Sequence, residues 1–378
     1  MRTELTPEQS EQQEAFRAFA DEKISPEADQ YDRDERIPAE TLKRLAEKGY
    51  SGATIPKENG GSGMDMITYG LLCEEIGRGS ASLLSLITIQ TMVSQAILKW
   101  GDDSQKAQWL PKMGKGEILC SFALTEPEIG SDAKNVGTSA VLSDGTYLLN
   151  GRKKWISGGQ IADLFLIIAQ CDGAPAAFLV ERDTPGFFTE PIGDMMGFRS
   201  AMLAEIRMED CRIPEENLLG RIGFGFSHVA GTSLDFGRYS VAWGCVGLAR
   251  ACLEASLDYT EKRKQFGVYL KEHQLIQGMI ADMITNLKAA RMLCIHAGHL
   301  KDSGDPSVIM ETSVAKYFAS RIAVKAAMDA VQIHGANGCS SQYPVQRYMR
   351  DAKVMEIIEG SNQIQQTLIA KYGYLIKD

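Results

Sequence analysis

The sequence predicts a protein with three successive parts, helical, β-rich and helical again, with boundaries near residues 117 and 222. Two patterns indicate this order. Apolar residues recur at helical spacing in the first and last parts, whereas the middle part has short Val-, Ile- and Leu-rich runs separated by two-residue turn signals. With 378 residues, of which 44% are hydrophobic, the chain is long enough to bury several cores. We therefore predict domains over 1–117, 118–222 and 223–378.

The first part begins with a helix signal. Thr6 to Gln9 reads Thr-Pro-Glu-Gln, a capping box with proline at the first helical position, and it predicts a helix to about Lys23. The segment PAETLKRLAEKGY predicts a second helix that ends at Gly49. After a glycine-rich turn, the apolar spacing predicts helices over about 66–78, 82–99 and 104–115.

The middle part carries three turn signals at close intervals, Asp144-Gly145, Asn150-Gly151 and Asp172-Gly173. Each lies between short runs of residues that favour strands, which predicts antiparallel hairpins. The turns are too close together for helices between strands, so a Rossmann fold is disfavoured.

The last part returns to long helices, most visibly over about 240–263 and 274–301. In the second of these, apolar residues recur at helical spacing and predict the buried face of a helical bundle. They are Leu275, Ile276, Met279, Ile280, Met283, Ile284 and Leu287.

Composition excludes several classes of protein. The net charge is −9, from 40 Lys and Arg against 49 Asp and Glu, which argues against nucleic-acid binding. The eight cysteines and five histidines show no metal-ligand spacing, so we expect reduced thiols and no metal. The N-terminus is polar, and no segment approaches the roughly 20 apolar residues of a membrane span, so we expect a cytoplasmic protein.

The sequence does not match several common catalytic and cofactor-binding motifs. GGSG at 60–63 and GRIGFG at 220–225 match neither a dinucleotide fingerprint nor a P-loop, and there is no G-x-S-x-G elbow. Two carboxylates, Glu356 and Glu359, lie near the C-terminus, and Gly-Ser-Asn follows the second directly.

Five motifs occur in order along nearly the whole chain and together resemble the acyl-CoA dehydrogenase family. They are SFALTEPEIGSDAKN (121–135), KKWISGG (153–159), RKQFGVYLKEHQ (263–274), VQIHGANG (331–338) and RDAKVMEIIEGSNQIQ (350–365). The resemblance implies an FAD enzyme with an antiparallel β-barrel between an N-terminal helical domain and a C-terminal helical bundle.

The resemblance also implies a catalytic base. Glu359 matches the family's base, which removes a proton α to a thioester carbonyl while a hydride leaves the β carbon for flavin N5. A desolvated carboxylate suits this task because burial raises its pKa. The base's own backbone N–H and a ribityl hydroxyl of FAD would bind the carbonyl. Glu356 does not match, and we expect a solvated or salt-bridged helix residue there.

The cofactor and substrate contacts follow from the same resemblance. Phe122, Leu124, Thr125, Trp155 and Ser157 would line the flavin ring, and Ser131 would reach the pyrophosphate. Arg263, Gln265, Phe266, Gln332 and Gly335 would hold the FAD of a neighbouring subunit, and Ser361 and Gln363 would complete the shell. Asp235 and Arg238 would face the substrate. We therefore expect a homodimer or homotetramer.

Two departures from the pattern of straight-chain fatty acyl members bear on the identity of the substrate. Met355 and Ile358 stand where straight-chain fatty acyl members often carry tyrosine. GRYSVAWGCVG and DAKVMEIIEG resemble a branch of polyketide and nonribosomal peptide pathways that oxidises short 2-hydroxy or 2-amino acyl groups on an acyl carrier protein, towards hydroxymalonyl- or aminomalonyl-type extender units.

Three alternatives stay open beside that branch. The first is a catabolic short-chain acyl-CoA dehydrogenase that makes a 2-enoyl-CoA. The second is an oxidase on the same fold, and the third is a non-catalytic flavoprotein. The sequence does not identify the electron acceptor, and electron-transfer flavoprotein is one candidate.

Overall fold

The computed structural model describes residues 4–375 and begins with six α-helices. These are α1 (Pro7–Lys23), α2 (Ala28–Asp34), α3 (Ala39–Glu47), α4 (Met66–Gly79), α5 (Ala81–Trp100) and α6 (Asp103–Gly114). Thr6 and Gln9 form the predicted capping box. Gly49 adopts φ 74° just beyond α3, in keeping with a glycine that stops a helix.

Helix α5 corrects one expectation. It is long and apolar enough to cross a membrane, because its polar residues before Lys99 are all uncharged. However, 89% of its most apolar window is buried inside the protein. It packs against α4, α6 and the first strand of the middle part, as a core helix does.

The middle part forms one seven-stranded sheet. Its strands are β1 (Cys120–Ala123), β2 (Ser139–Ser143), β3 (Thr146–Ile156), β4 (Leu164–Cys171), β5 (Ala174–Glu181), β6 (Phe187–Pro191) and β7 (Ala204–Pro214). The order is β1-β4-β2-β3-β7-β6, and β5 pairs with β4. Most pairs are antiparallel, but β1 and β2 both run parallel to β4. The expectation of a purely antiparallel module was therefore wrong for these two pairs. The long connection after β1 contains no two-residue turn signal, so the sequence pattern does not fix the direction of these strands.

Two of the three turn signals close hairpins. Asp144-Gly145 and Asp172-Gly173 have positive φ at both residues, as two-residue turns of this type require. Asn150-Gly151 instead lies inside β3, where the register with β7 shifts, so this turn prediction was wrong. Gly151 has φ 149°, and a Cβ there would lie 2.6 Å from Thr138 Oγ1. The glycine allows a bulge against a close backbone neighbour.

The last part begins with a π-helical turn over 225–230 and continues into five helices. These are α7 (Gly231–Lys262), α8 (Gln274–Ser303), α9 (Val308–His334), α10 (Val345–Met355) and α11 (Asn362–Leu375). A small hairpin of β8 (Lys264–Gln265) and β9 (Val268–Tyr269) separates α7 from α8. Helix α7 starts well before the predicted residue 240.

The apolar stripe of α8 is only partly buried, which corrects its prediction as the buried face of a bundle. Met283 is buried, but Leu275 is 84% exposed and Ile284 is 37% exposed. Helical spacing identifies an apolar face and does not tell whether this chain or another covers it. The main core lies between α4, α5, α7, α8 and α9, and it reaches the sheet through α5.

Candidate active site

A short loop between α10 and α11 carries Glu359. Glu359 has φ 55° and Gly360 has φ 84°, so two successive left-handed residues turn the chain sharply. A glutamate in this conformation is uncommon and persists only where its surroundings hold it.

Three side chains hold the carbonyl oxygens of this loop. Arg238 Nε donates to Glu359 O at 3.2 Å. Gln365 Nε2 donates to Glu359 O at 3.1 Å and to Gly360 O at 2.9 Å. Lys316 Nζ donates to Gly360 O at 3.0 Å and to Asn362 Oδ1 at 3.3 Å. The loop is therefore fixed through its backbone.

Sequence reasoning missed Lys316 and Gln365. Gln365 carries no signal that separates it from other polar helix residues. Lys316 does carry one, because it is the charged residue in a stripe of α9 that is otherwise small and apolar, with Ala315, Ala319 and Ala323. All four are buried, and a buried lysine needs partners for its three donors.

The carboxylate of Glu359 is left without a partner. Its Oε2 is buried and accepts no hydrogen bond from residues 4–375. It sits on Gly237 of α7, where a Cβ would overlap Oε2 and lie 2.9 Å from Met92 Sδ. Burial raises the pKa of Glu359 to about 7, against the opposing charges of Arg238 and Lys316. A carboxylate with this pKa is suited to accept protons near neutral pH.

Glu356 differs from Glu359 in every respect that matters for a base. Lys353 Nζ donates to its Oε2 at 2.8 Å, and Asn362 Nδ2 donates to its Oε1 at 3.2 Å. This is the salt-bridged helix residue that the sequence led us to expect. Its carboxylate ties α10 to the first residue of α11.

The two predicted substrate residues lie on α7 close to the base. Arg238 makes its one hydrogen bond within residues 4–375 through Nε, so its two terminal nitrogens are available to a ligand. Asp235 forms an ion pair with the buried Lys301. Its other oxygen, Oδ1, is buried and has no partner in that range.

Several predicted flavin residues come together where the segment after β1 meets the C-terminal end of β3, an area that we call the sheet edge. Lys153, on β3, donates to Glu126 Oε1 at 2.8 Å and to Leu124 O at 3.1 Å. The next residue, Lys154, donates its backbone N–H to Thr125 O at 2.9 Å. These bonds tie Leu124 and Thr125 to the strand that carries Trp155.

The side chain of Trp155 is exposed to solvent rather than buried. It has φ 63° at the second register shift of β3, and its side chain is 47% exposed. A bulge re-aims a side chain out of its strand. Ser121 Oγ donates to Ser157 O at 2.8 Å, which anchors the segment beyond Trp155 to β1 beside Phe122. Phe122, Thr125 and Ser157 are half-buried, and Ser131 lies exposed in the following loop.

The remaining predicted flavin residues lie on other surfaces. Arg263, Gln265, Gln332 and Gly335 are exposed. Phe266, at the tip of the β8–β9 hairpin, is 96% exposed with φ 52°. Within residues 4–375, no hydrogen bond or ring contact joins this group to the edge that carries Trp155. Ser361 and Gln363 follow the base loop, half-buried and exposed respectively.

These surfaces fit the two halves of a flavin dinucleotide. The sheet edge offers an exposed indole face with hydroxyls at Thr125 and Ser157, which suits a planar ring with polar edges. The hairpin offers the guanidinium of Arg263, whose fork matches a diphosphate. The sheet edge would hold the flavin ring of FAD, and the hairpin would hold a diphosphate.

Family profiles match the three parts of the chain in order. The acyl-CoA dehydrogenase N-terminal domain matches residues 6–117, the middle domain matches 121–211 and the C-terminal domain matches 223–373. Together they cover most of the chain.

Individual proteins match along nearly the full length. An acyl-CoA dehydrogenase of Bacillus subtilis is 39% identical over 97% of this chain and 98% of its own. The rat mitochondrial short-chain specific acyl-CoA dehydrogenase is 37% identical over 96% of this chain and 88% of its own. The solved butyryl-CoA dehydrogenase of Megasphaera elsdenii superposes with a TM-score of 0.95 at 34% identity, covering 100% of both chains.

Two solved structures connected with carrier proteins or polyketides are also similar. The prolyl acyl carrier protein oxidase AnaB has a TM-score of 0.93 at 28% identity, over 98% of this chain and 99% of its own. FkbI, described for biosynthesis of the methoxymalonyl extender unit of a polyketide, has a TM-score of 0.88 at 30% identity, over 96% and 99%.

Proposed function

Because the chain belongs to the acyl-CoA dehydrogenase family, we propose that it oxidises a short acyl thioester with Glu359 as the base. Family membership confirms the predicted fold class, the FAD cofactor and the oxidoreductase activity. The observation that carries the proposal is the buried, unpartnered Oε2 of Glu359.

The chain's own groups account for the proton step. Glu359 Oε2 takes the proton from C2 of the acyl group, because no lysine or arginine of residues 4–375 bonds its carboxylate. The backbone N–H of Glu359 also makes no hydrogen bond in that range, so it is available to the thioester carbonyl. Bound FAD supplies the acceptor for the hydride from C3, which leaves a 2-enoyl thioester.

Coenzyme A is our first candidate for the carrier of the acyl group. The support comes from the similar proteins, since the Bacillus, rat and Megasphaera relatives are all named for acyl-CoA substrates. Of the two departures beside the base, Met355 is fully buried against Cys245, with 3.2 Å between the sulfur atoms, and Ile358 is half-buried.

A short 2-hydroxy or 2-amino acyl group on an acyl carrier protein is our second candidate, as in hydroxymalonyl- or aminomalonyl-type extender units. Its support is the likeness to AnaB and FkbI, together with Met355 and Ile358 in place of tyrosines. A carrier protein would need a local cationic patch to dock, because the chain's net charge is −9.

Intact-mass spectrometry of thioesters incubated with the FAD-loaded enzyme and an artificial electron acceptor separates the two candidates. We expect butyryl-CoA to lose two hydrogens, and carrier-bound 2-hydroxyacyl and 2-aminoacyl groups to remain unchanged. Oxidation of the carrier-bound groups alone would select the second candidate. If no thioester were oxidised, the proposed function would be wrong.

Electron-transfer flavoprotein is the proposed electron acceptor, and oxygen is the alternative because AnaB is named an oxidase. Stopped-flow reoxidation of the reduced enzyme in air tests this. Reoxidation much slower than turnover with an electron-transfer flavoprotein supports the dehydrogenase, and reoxidation as fast as turnover supports an oxidase.

We also propose that the active enzyme is a homodimer or homotetramer. Phe266 and Leu275 are 96% and 84% exposed in the single chain, close to the predicted FAD residue Arg263 in sequence. A second copy would cover these apolar groups. We expect Arg263→Ala to lose FAD on dialysis while it keeps its far-UV spectrum, and Lys262→Ala to retain FAD. A monomer that kept full FAD content in sedimentation would contradict the proposal.

A further inference from the structure

The loop between β6 and β7, residues 192–203, lies between the two halves of the proposed active site. On one side it pairs with the segment that carries Ser157 at the sheet edge, because Gly158 donates its backbone N–H to Ala201 O at 2.9 Å. On its other side it lies on α10, the helix that leads into the loop of Glu359. The sheet edge and the base are therefore connected through the β6–β7 loop.

Two hydrogen bonds among the described residues join the β6–β7 loop to α10. Phe198 donates its backbone N–H to Asp351 Oδ1 at 2.7 Å, and Arg350 Nη1 donates to Met196 O at 2.8 Å. The two backbones also touch, since a Cβ at Gly197 would lie 2.5 Å from Arg350 O. The loop is therefore seated directly on the helix.

Asp351 is a buried carboxylate that the proton step does not use. It is 2% exposed, and burial raises its pKa to about 6, so it is still mostly ionised at neutral pH. Its partner Phe198 is also buried and has φ 54°, which is uncommon for a bulky residue. A buried N–H needs an acceptor, and a charged acceptor makes the stronger bond. Asp351 thus stabilises a loop conformation that persists only where its surroundings hold it.

Helix α10 connects Asp351 to the base. Asp351 lies one turn before Met355, the last residue of the helix. The chain beyond the helix stays bonded to it, because Ile358 donates its backbone N–H to Val354 O at 3.1 Å, and Glu359 is the next residue. A shift of α10 on the β6–β7 loop would therefore move the base relative to the sheet edge.

We propose that Asp351 is a positioning residue, which fixes the distance between Glu359 and the sheet edge by binding the N–H of Phe198. The inference rests on the proposed function and adds a residue to it. Glu359 takes a proton from C2 while a hydride leaves C3, so the acyl group must reach the base and the flavin side at once. Without the bond from Asp351, the base still takes the proton, but hydride transfer is slowed.

Two outcomes in D2O report on this alignment. The FAD-loaded enzyme is incubated with butyryl-CoA and an artificial electron acceptor, and mass spectrometry measures deuterium at C2 of the recovered substrate and the loss of two hydrogens in the product. Deuterium enters when Glu359 removes a C2 proton, exchanges it with solvent and returns a deuteron, with no hydride transferred. We expect Asp351→Ala to raise the ratio of exchange to oxidation by about tenfold or more, since a misplacement of about 1 Å slows a step by ~10²-fold.

Matched variants assign the effect to the contact between loop and helix. Asp351→Asn keeps an oxygen that can accept from Phe198, so its ratio should stay near that of the wild type. Gly197→Ala leaves Asp351 intact but pushes the loop away from Arg350 O, so its ratio should rise, and it tests the proposal even if Asp351→Ala does not fold. Asp329→Ala removes another buried carboxylate, on α9, and should leave the ratio unchanged. A loss of stability alone lowers exchange and oxidation in the same proportion.

Amide hydrogen exchange of the FAD-loaded variants without substrate gives a readout that needs no turnover. We expect Asp351→Ala and Gly197→Ala to exchange faster than wild type over 157–161 and 356–361, the two sides of the contact, and Asp329→Ala to match wild type there. An unchanged ratio of exchange to oxidation in folded Asp351→Ala or Gly197→Ala would overturn the inference. If the wild type oxidised no thioester, the proposed function would be wrong, and amide exchange would still decide whether Asp351 joins the two sides: faster exchange on both supports this, and unchanged exchange overturns it.

Discussion

Two buried lysines in different parts of the molecule stand near carboxylates with opposite results. Burial lowers the pKa of both Lys153, in the sheet, and Lys316, in α9, to about 8. Lys153 bonds the carboxylate of Glu126 directly. Burial alone would raise the pKa of Glu126, but hydrogen bonds from Lys153 and Thr138 bring it below the ordinary value. Lys316 donates to backbone and amide oxygens, and the pKa of Glu359 rises to about 7.

The difference indicates that the atoms to which a buried lysine donates its hydrogen bonds influence the pKa of the neighbouring carboxylate. A donor on the carboxylate itself stabilises the anion, so Glu126 serves as a fixed structural anion. Lys316 instead donates to backbone and amide oxygens of the loop. It therefore holds Glu359 in place and leaves the carboxylate able to accept a proton. The lysine's charge lowers the pKa of Glu359, but burial outweighs it and the pKa stays raised at about 7.

The largest expected effect tests the unpartnered carboxylate. Glu359→Gln should retain FAD and its fold but lower the rate of substrate oxidation by about 10²–10⁴-fold, because the amide cannot take the proton. Stopped-flow absorbance at the flavin band measures the rate. Glu356→Gln is the matched control and should be nearly silent, since its carboxylate already bonds Lys353. A greater loss in Glu356→Gln would show that the base is misassigned.

The next effect tests how tightly the base is seated. Gly237→Ala places a methyl where Oε2 of Glu359 lies, so the carboxylate must move. A displacement of about 1 Å typically lowers a rate by ~10²-fold. Gly231→Ala, on the same helix, is the control, because its nearest neighbour would lie 3.5 Å from the added Cβ. Equal rates in the two variants would contradict the seating of the base on Gly237.

A third experiment replaces each of the two buried lysines in turn. Lys316→Met removes a positive charge that lowers the pKa of Glu359, so the acid limb of the pH–rate profile should move to higher pH. Lys153→Met should leave that limb in place and destabilise the protein by about 3–5 kcal/mol in urea unfolding, because Glu126 stays buried without its cation. A shift of the limb in Lys153→Met alone would reverse our comparison.

The two lysine sites also show which parts of the fold and of the candidate site can be predicted from the sequence. The family resemblance alone singles out Glu359, and turn chemistry correctly predicts the hairpins at Asp144 and Asp172. Gly237 and Lys316 were not predicted as parts of the site, since folding brings them to Glu359 from distant segments and no local pattern records that contact. Asn150-Gly151 was read as a turn because a bulge needs the same residues.

The smallest effect is on stability against pH. The pKa of Glu359 rises from 4.5 in the unfolded chain to about 7 in the fold, so its contribution is fully present below pH 4.5. As the pH rises to about 7, the unfolded chain loses its proton first, and the fold loses stability relative to it. Glu359→Gln cannot titrate. We therefore expect its stability advantage over wild type to grow between pH 4.5 and 7 and then to level off, as measured by urea unfolding at each pH. A constant difference across this range would mean that the carboxylate is not desolvated in the fold.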